Sequence, residues 1–208
     1  AYFIIIFDIY WFYKSGVLAF TAVLSHFKIR ASEKYDWLTD AKKLLDFKKV
    51  HHLVIIPTFM EPEATISKGL KALANQDFPS KSISVVLATE VREPNVLGKA
   101  EKLKKEFESY FANFIITIHP DLPGEVKGKS SNQAWAGRIA KEEIVDKQGR
   151  DINFVTVTSK DADAIMHPKY FSYLTYKFLK NPHRHLYFWQ AVIMFYSNIW
   201  RVPAPIRV

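Results

Sequence analysis

The sequence predicts an α/β fold with a mixed, mainly parallel sheet flanked by helices, preceded by a membrane-associated helix. Three observations predict it. From His51 onward, short β-branched apolar runs alternate with segments of helical period. Those runs are continuously apolar, as strands covered on both faces are. Ahead of them lie two apolar blocks, residues 1–9 and 17–24, followed by a basic stretch.

The two blocks are separated by Asp8, Lys14 and the aromatic cluster Tyr10-Trp11-Phe12-Tyr13. Two charges at the centre of one span would nearly cancel its apolar gain. An arrangement that resolves the conflict ends a span at Ile9, with Tyr10, Trp11 and Tyr13 at the interface and Lys14 snorkelling. Val17, Phe20, Leu24 and Phe27 then recur at helical spacing, which suits a helix lying along the membrane surface or packing on the soluble domain. Residues 1–30 are therefore expected to form a transmembrane or interfacial helix, the competing reading being a buried core helix. Residues 31–49 are expected to form a basic juxtamembrane helix, whose lysines place the following domain on the cytoplasmic side.

In the domain that follows, His52–Ile56 reads as a strand ended by Pro57, and the next helix has Pro62 in its first turn and Ala64, Leu70 and Leu73 on one face. Ile83–Ala88 is a second strand with Glu90 just past its end. A helix over 99–111 and a strand over Phe114–Ile118 come next. The segment 124–132 leads into a helix reaching Val145, and Ile152–Val157 is expected to be a fourth, buried strand. After Pro168 a helix carries Tyr170, Phe171, Leu174 and Phe178, and Leu186–Tyr196 reads as a further strand with Met194 and Phe195 in the core. Residues 198–206 are expected to be a loop or a helix near the membrane.

Composition limits the chemistry. Forty-nine per cent apolar residues in a 208-residue chain are ample for a core, and the absence of cysteine excludes disulfides, zinc–thiolate sites and thiol catalysis. A net charge of +8 raises phosphorylated substrates, anionic membrane and nucleic acid as partners. There is no Gly-x-x-x-x-Gly-Lys-Ser/Thr phosphate loop, and Gly124-Glu-Val-Lys-Gly128 lacks dinucleotide spacing. No histidine pair has metalloprotease spacing.

The candidate site lies at the strand ends. Thr58 and Glu61 follow the first strand, Glu90 the second, Lys129 the third, and Asp161 with Asp163 the fourth. In an open α/β sheet these positions share one edge, where ligands bind. In an extended segment Asp161 and Asp163 would point the same way. Paired hard oxygens suit Mg²⁺ or Mn²⁺, which commonly take one or two carboxylates and complete their shells with water and substrate phosphates. The plainer reading of Asp-Ala-Asp is a solvated turn. Likewise Lys129 reads as a loop lysine, Asn132 as a helix-cap contact and Glu61 as a charge complementing a helix dipole.

Taken in order, Pro57-Thr-Phe-Met-Glu61, Asn75-Gln-Asp-Phe-Pro79, the strand ending at Glu90, Gly128-Lys-Ser-Ser-Asn132 and Asp161-Ala-Asp163 resemble family 2 glycosyltransferases of the membrane-bound, cellulose-synthase-like kind. The resemblance covers residues 50–208 and implies a GT-A fold, a Rossmann-like nucleotide-sugar-binding domain incomplete at its C-terminus. It implies that Pro57, Thr58 and Glu61 line a nucleoside pocket, that Glu90 reads base or ribose, and that Lys129 approaches the diphosphate. Asp161 and Asp163 would hold the divalent metal, Asp163 the more directly. The implied activity is metal-dependent, inverting transfer of a sugar from a nucleotide-diphosphate sugar donor to a glycan or lipid acceptor at a membrane. Nucleic acid is not an expected partner. Two departures stand out: the family usually has Asp where Glu90 stands, and its acceptor-activating acid and Gln-x-x-Arg-Trp segment do not occur here, so that base is expected beyond Val208. The contrasting class is a non-catalytic, membrane-tethered binding module for nucleic acid or anionic lipid.

Overall fold

The computed structural model describes residues 2–193. Helix α1, Tyr2–Lys34, is one continuous helix with no buried residue. At 33 residues it is about 50 Å long, well beyond the ~30 Å of a bilayer's hydrocarbon. It is the one helix among the described residues that is long and apolar enough to cross a membrane. Residues 10–14, between the two apolar blocks, are helical like their neighbours. That segment contains no proline, and the first glycine, Gly16, lies inside the helix with open space around it.

The basic stretch is not one helix. Helix α2, Trp37–Lys42, starts at Asp36, whose carboxylate accepts from the Thr39 N–H at 3.1 Å. A 3₁₀ turn, Phe47–Lys49, follows. Trp37 anchors this region: its ring lies 4.6 Å from that of Tyr173 and 5.2 Å from that of Tyr176, and its Nε1 donates to the Ser32 carbonyl of α1 at 2.8 Å.

The domain then builds three βα units. Strand β1 (His51–Pro57) leads to α3 (Glu63–Ala74), β2 (Ile83–Glu90) to α4 (Val96–Phe107), and β3 (Asn113–His119) to α5 (Lys129–Ala140). Helix α5 runs on into a π-helical turn, Lys141–Asp146. Strand β4 (Val155–Ser159) and helix α6 (Tyr170–Lys180) complete the set. All four strands are parallel, in the order β3-β2-β1-β4. The described sheet is thus a four-stranded parallel α/β sheet of Rossmann-like kind.

Alternation along the strands divides the core. Val54, Ile56, Val85 and Leu87 face α3, α4 and α6 through Ile66, Leu70, Leu103 and Phe171. Leu53, Ile55, Val86 and Ala88 face α5 through Ala136 and Ala140, and its π-helical extension through Ile144. The small residues of α5 let that helix lie close to the sheet. Burying such strands on both faces is what makes them continuously apolar.

Two expectations about strands are corrected. The fourth strand begins at Val155, not Ile152, because Asp151 accepts from the Asn153 N–H at 3.0 Å and turns Ile152–Phe154 into a 3₁₀ segment. It also lies at the edge of the described sheet, with Val157 exposed, so it is not buried on both faces among the described residues. In the second case, Arg184–Leu186 is a 3₁₀ turn and residues 187–193 have no regular structure, so no strand runs through them. Aromatic and branched content alone does not make a strand without a neighbour to pair with. Residues 194–196 of that expected strand, with Met194 and Phe195, lie outside the described residues, as do residues 198–206.

Candidate functional site

The strand order reverses direction at β1: the chain builds outward through β2 and β3, then returns to place β4 on β1's other side. The carboxyl ends of β1 and β4 therefore flank a topological switch point, where open α/β sheets bind ligands. Every sequence-derived site residue falls on this edge.

Pro57 closes β1, and Thr58 continues its pairing by donating its N–H to the Ala88 carbonyl at 2.8 Å. Thr58 is buried, and its Oγ1 donates to Glu61 Oε2 at 2.8 Å. The same carboxylate oxygen accepts from the Phe59 N–H. Glu61 thus ties the β1–α3 loop together rather than serving the α3 dipole alone. The closure forces Met60 into left-handed backbone, φ 64°, a conformation that costs a non-glycine residue roughly 1 kcal/mol. Lys99 reinforces the loop from α4, donating to the Glu61 carbonyl at 3.1 Å while pairing with the buried carboxylate of Glu93.

Glu90, the last residue of β2, is buried and paired with Arg92. The Arg92 guanidinium also stacks 4.9 Å over the Phe59 ring, joining the β2 end to the β1 loop. Beside Glu90 in register stands His119, at the end of β3, whose Nε2 lies 3.0 Å from Glu125 Oε2. Glu90, Arg92, His119 and Glu125, with Asp121 and Lys127, line a shallow, open crevice. Sequence reasoning missed His119 and Arg92 as site residues. His119 was detectable by the strand-end logic that found Glu90; Arg92 was not, because nothing in the sequence shows where a loop arginine folds back.

Lys129 is the first residue of α5 and forms an ion pair with Asp161 of the turn after β4. Both side chains remain more than half exposed. Asn132 is buried one turn into α5, and its Nδ2 donates to the Ala88 carbonyl at 2.9 Å, so it locks α5 onto β2 instead of capping the helix.

The segment Asp161-Ala-Asp163 is a turn, closed by the Ala164 N–H donating to the Asp161 carbonyl at 3.1 Å. The expected extended geometry, with both carboxylates aligned by strand alternation, is not formed, because β4 ends at Ser159. Ala162 points inward and is buried, while Asp161 and Asp163 are exposed. Beneath the turn lies Lys160, only 3 % exposed, whose Nζ donates to the Asp161 carbonyl at 3.0 Å. Burial pushes its pKa down to about 8, a fall partly offset by the carboxylates of Asp163 and Asp161. Its counterpart is Gly69 of α3, where an added Cβ would stand 2.7 Å from Lys160 Nζ. A glycine inside a helix costs roughly 0.5–1 kcal/mol relative to alanine. Here the close approach of the acidic turn explains it.

The donor set suits a hard cation, since two exposed carboxylates sit on a turn at a ligand-binding edge. Among the described residues no three His, Asp or Glu side chains gather into a metal site. Any cation held here would therefore take most of its shell from water and from a ligand's phosphates.

No protein-family model matches the chain, and none of the curated proteins searched matches it.

Proposed function

We propose that this chain binds a nucleotide-diphosphate sugar at the carboxyl edge of its sheet, as the donor-binding part of a membrane-associated glycosyltransferase of the GT-A, family 2 kind. The observation that carries the reading is the meeting of Lys129 with Asp161 at the β1/β4 switch point, beside the Thr58–Glu61 loop and the crevice at Glu90. A basic side chain and two carboxylates at one such edge match the needs of a diphosphate and its counter-ion.

Pro57 and Thr58 border the nucleoside, and Glu61 shapes that border by holding its loop. Glu90 with Arg92 faces base or ribose, with the Glu90 carboxylate as hydrogen-bond acceptor. Lys129 releases Asp161 and moves to the diphosphate when the donor enters. Asp163, with Asp161 once freed, holds Mg²⁺ or Mn²⁺, which when bound stabilises negative charge on the departing diphosphate. Inverting transfer to a glycan or lipid acceptor follows from the resemblance. Helix α1 holds the domain at a membrane, and the lysines that follow it put the domain on the cytoplasmic face.

Calorimetric titration of the full chain with nucleoside diphosphates, with and without Mn²⁺, tests the reading. Binding that requires Mn²⁺ and varies little with salt supports it. Metal-independent binding of single-stranded nucleic acid or anionic vesicles, with steep salt dependence, supports the tethered binding module instead.

A further inference from the structure

Lys160 is a buried charge that the donor-binding reading leaves unused. Its backbone N–H extends the β4–β1 pairing by donating to the Ile55 carbonyl at 3.0 Å, so the residue is fixed at the switch point itself. Its side chain then folds back under the acidic turn. The Asp161 carbonyl accepts from Lys160 Nζ on one side and from the Ala164 N–H on the other, so one oxygen holds both the floor and the closure of the turn.

Helix α3 is shaped to admit this arrangement. A Cβ at Gly69 would lie 2.7 Å from Lys160 Nζ, 3.0 Å from the Ala162 carbonyl and 3.5 Å from the Ala164 carbonyl. The turn backbone and the ammonium thus occupy space that only a glycine leaves on that helix face. A desolvated ammonium is a poor way to gain stability alone. Its burial at this point calls for a local role.

We propose that Lys160 is the positioning residue of the acidic turn: its ammonium holds the Asp161 carbonyl while the Ala162 and Ala164 carbonyls seat at the glycine notch of α3, so that the Asp161 and Asp163 carboxylates are held outward at the carboxyl edge of the sheet. The proposal rests on the reading of that turn as the element that holds the diphosphate and its cation.

Two variants of the full chain test it, Lys160→Met and Gly69→Ala. The first removes the ammonium with little change in volume; the second keeps the lysine but drives a methyl group against its ammonium and the turn backbone. Two measurements are made on each: exchange at the Ala164 amide by hydrogen–deuterium NMR, and affinity for a nucleoside diphosphate with Mn²⁺. Both variants are expected to exchange at Ala164 at least tenfold faster and to bind at least tenfold more weakly. Lys160→Met is expected to keep or raise the melting temperature, which a lysine serving only global stability would not allow. Unchanged Ala164 exchange in both variants overturns the proposal, as does faster exchange spread evenly over β1 and β2. Absence of nucleoside diphosphate binding in the unmodified chain defeats the donor-site reading instead, and the Ala164 exchange still decides the role of Lys160.

Discussion

Lys129 and Asp161, 32 positions apart in sequence, form an ion pair at the carboxyl edge of the sheet. The pair joins the first turn of α5 to the acidic turn after β4. It also sets a competition, because the carboxylate expected to serve a cation is already engaged by an ammonium.

Lys129→Ala therefore has opposite effects on two ligands. Mn²⁺ alone should bind more tightly, since an exposed pair is worth about 0.2–1 kcal/mol, or up to about fivefold. The nucleoside diphosphate should bind more weakly in the presence of Mn²⁺, having lost a cation for its phosphates. Calorimetry on both ligands checks this, and weakening of both would place Lys129 in the fold rather than in the exchange.

Met60 holds left-handed backbone at φ 64° because Glu61 draws the Thr58 hydroxyl and the Phe59 amide onto one carboxylate oxygen. Met60→Gly removes the steric cost and should stabilise the domain by about 1 kcal/mol. Met60→Val should destabilise it by at least as much. Thermal melts separate the two, and equal melting temperatures would mean that the loop relaxes freely.

His51 and His52 open β1 in buried positions, His51 2.8 Å from Ser84 Oγ and His52 between Thr156 Oγ1 at 2.6 Å and Thr175 Oγ1 at 2.8 Å. Burial lowers their pKa values to about 4 for His51, with Arg150 contributing, and about 3 for His52, with His51 contributing. Both stay neutral in the folded chain, whereas the unfolded chain takes up protons below about pH 6.5. Their stabilising effect is complete above that pH and is lost as the pH falls toward 4 and 3. The expected slope is about 1.4 kcal/mol per histidine per pH unit. Urea midpoints at pH 7.5, 6 and 5 check it; a flat profile would show that neither imidazole stays neutral.

Trp37 connects α1 to the domain through the Ser32 carbonyl, Tyr173 and Tyr176. Trp37→Ala should cost about 2 kcal/mol and expose residues 28–36 to protease while the sheet stays intact. Protection unchanged at that junction would show that the aromatic cluster does not hold α1 in place.

The central strands were legible because burial on both faces leaves continuous apolar runs, His52–Ile56 and Ile83–Ala88, and Phe114–Ile118 was legible because it stays apolar although β3 lies at an edge of the described sheet; all three lie within observed strands. The reading failed at β4. Strand β4 is half exposed, so its pattern blurs, and the start was misplaced by three residues because Asp151 turns the chain before pairing begins. The shared edge of Thr58, Glu61, Glu90, Lys129 and Asp161 followed from strand ends alone, since parallel topology brings those ends together. What lay beyond the sequence were the pairings made by long flexible side chains: Arg92 on Glu90, Lys160 under Asp161, and Asn132 on Ala88. Residues 187–193 show the converse error, in which strand-like composition has no strand to pair with.

The central claim is that a cation held at Asp163 joins a nucleoside diphosphate to this edge. The most direct test compares nucleoside diphosphate affinity at saturating Mn²⁺ between the unmodified chain and Asp163→Ala. At least a tenfold loss, about 1.4 kcal/mol, is expected in Asp163→Ala, with the melting temperature unchanged. Equal affinity in the two proteins, with or without Mn²⁺, would contradict it.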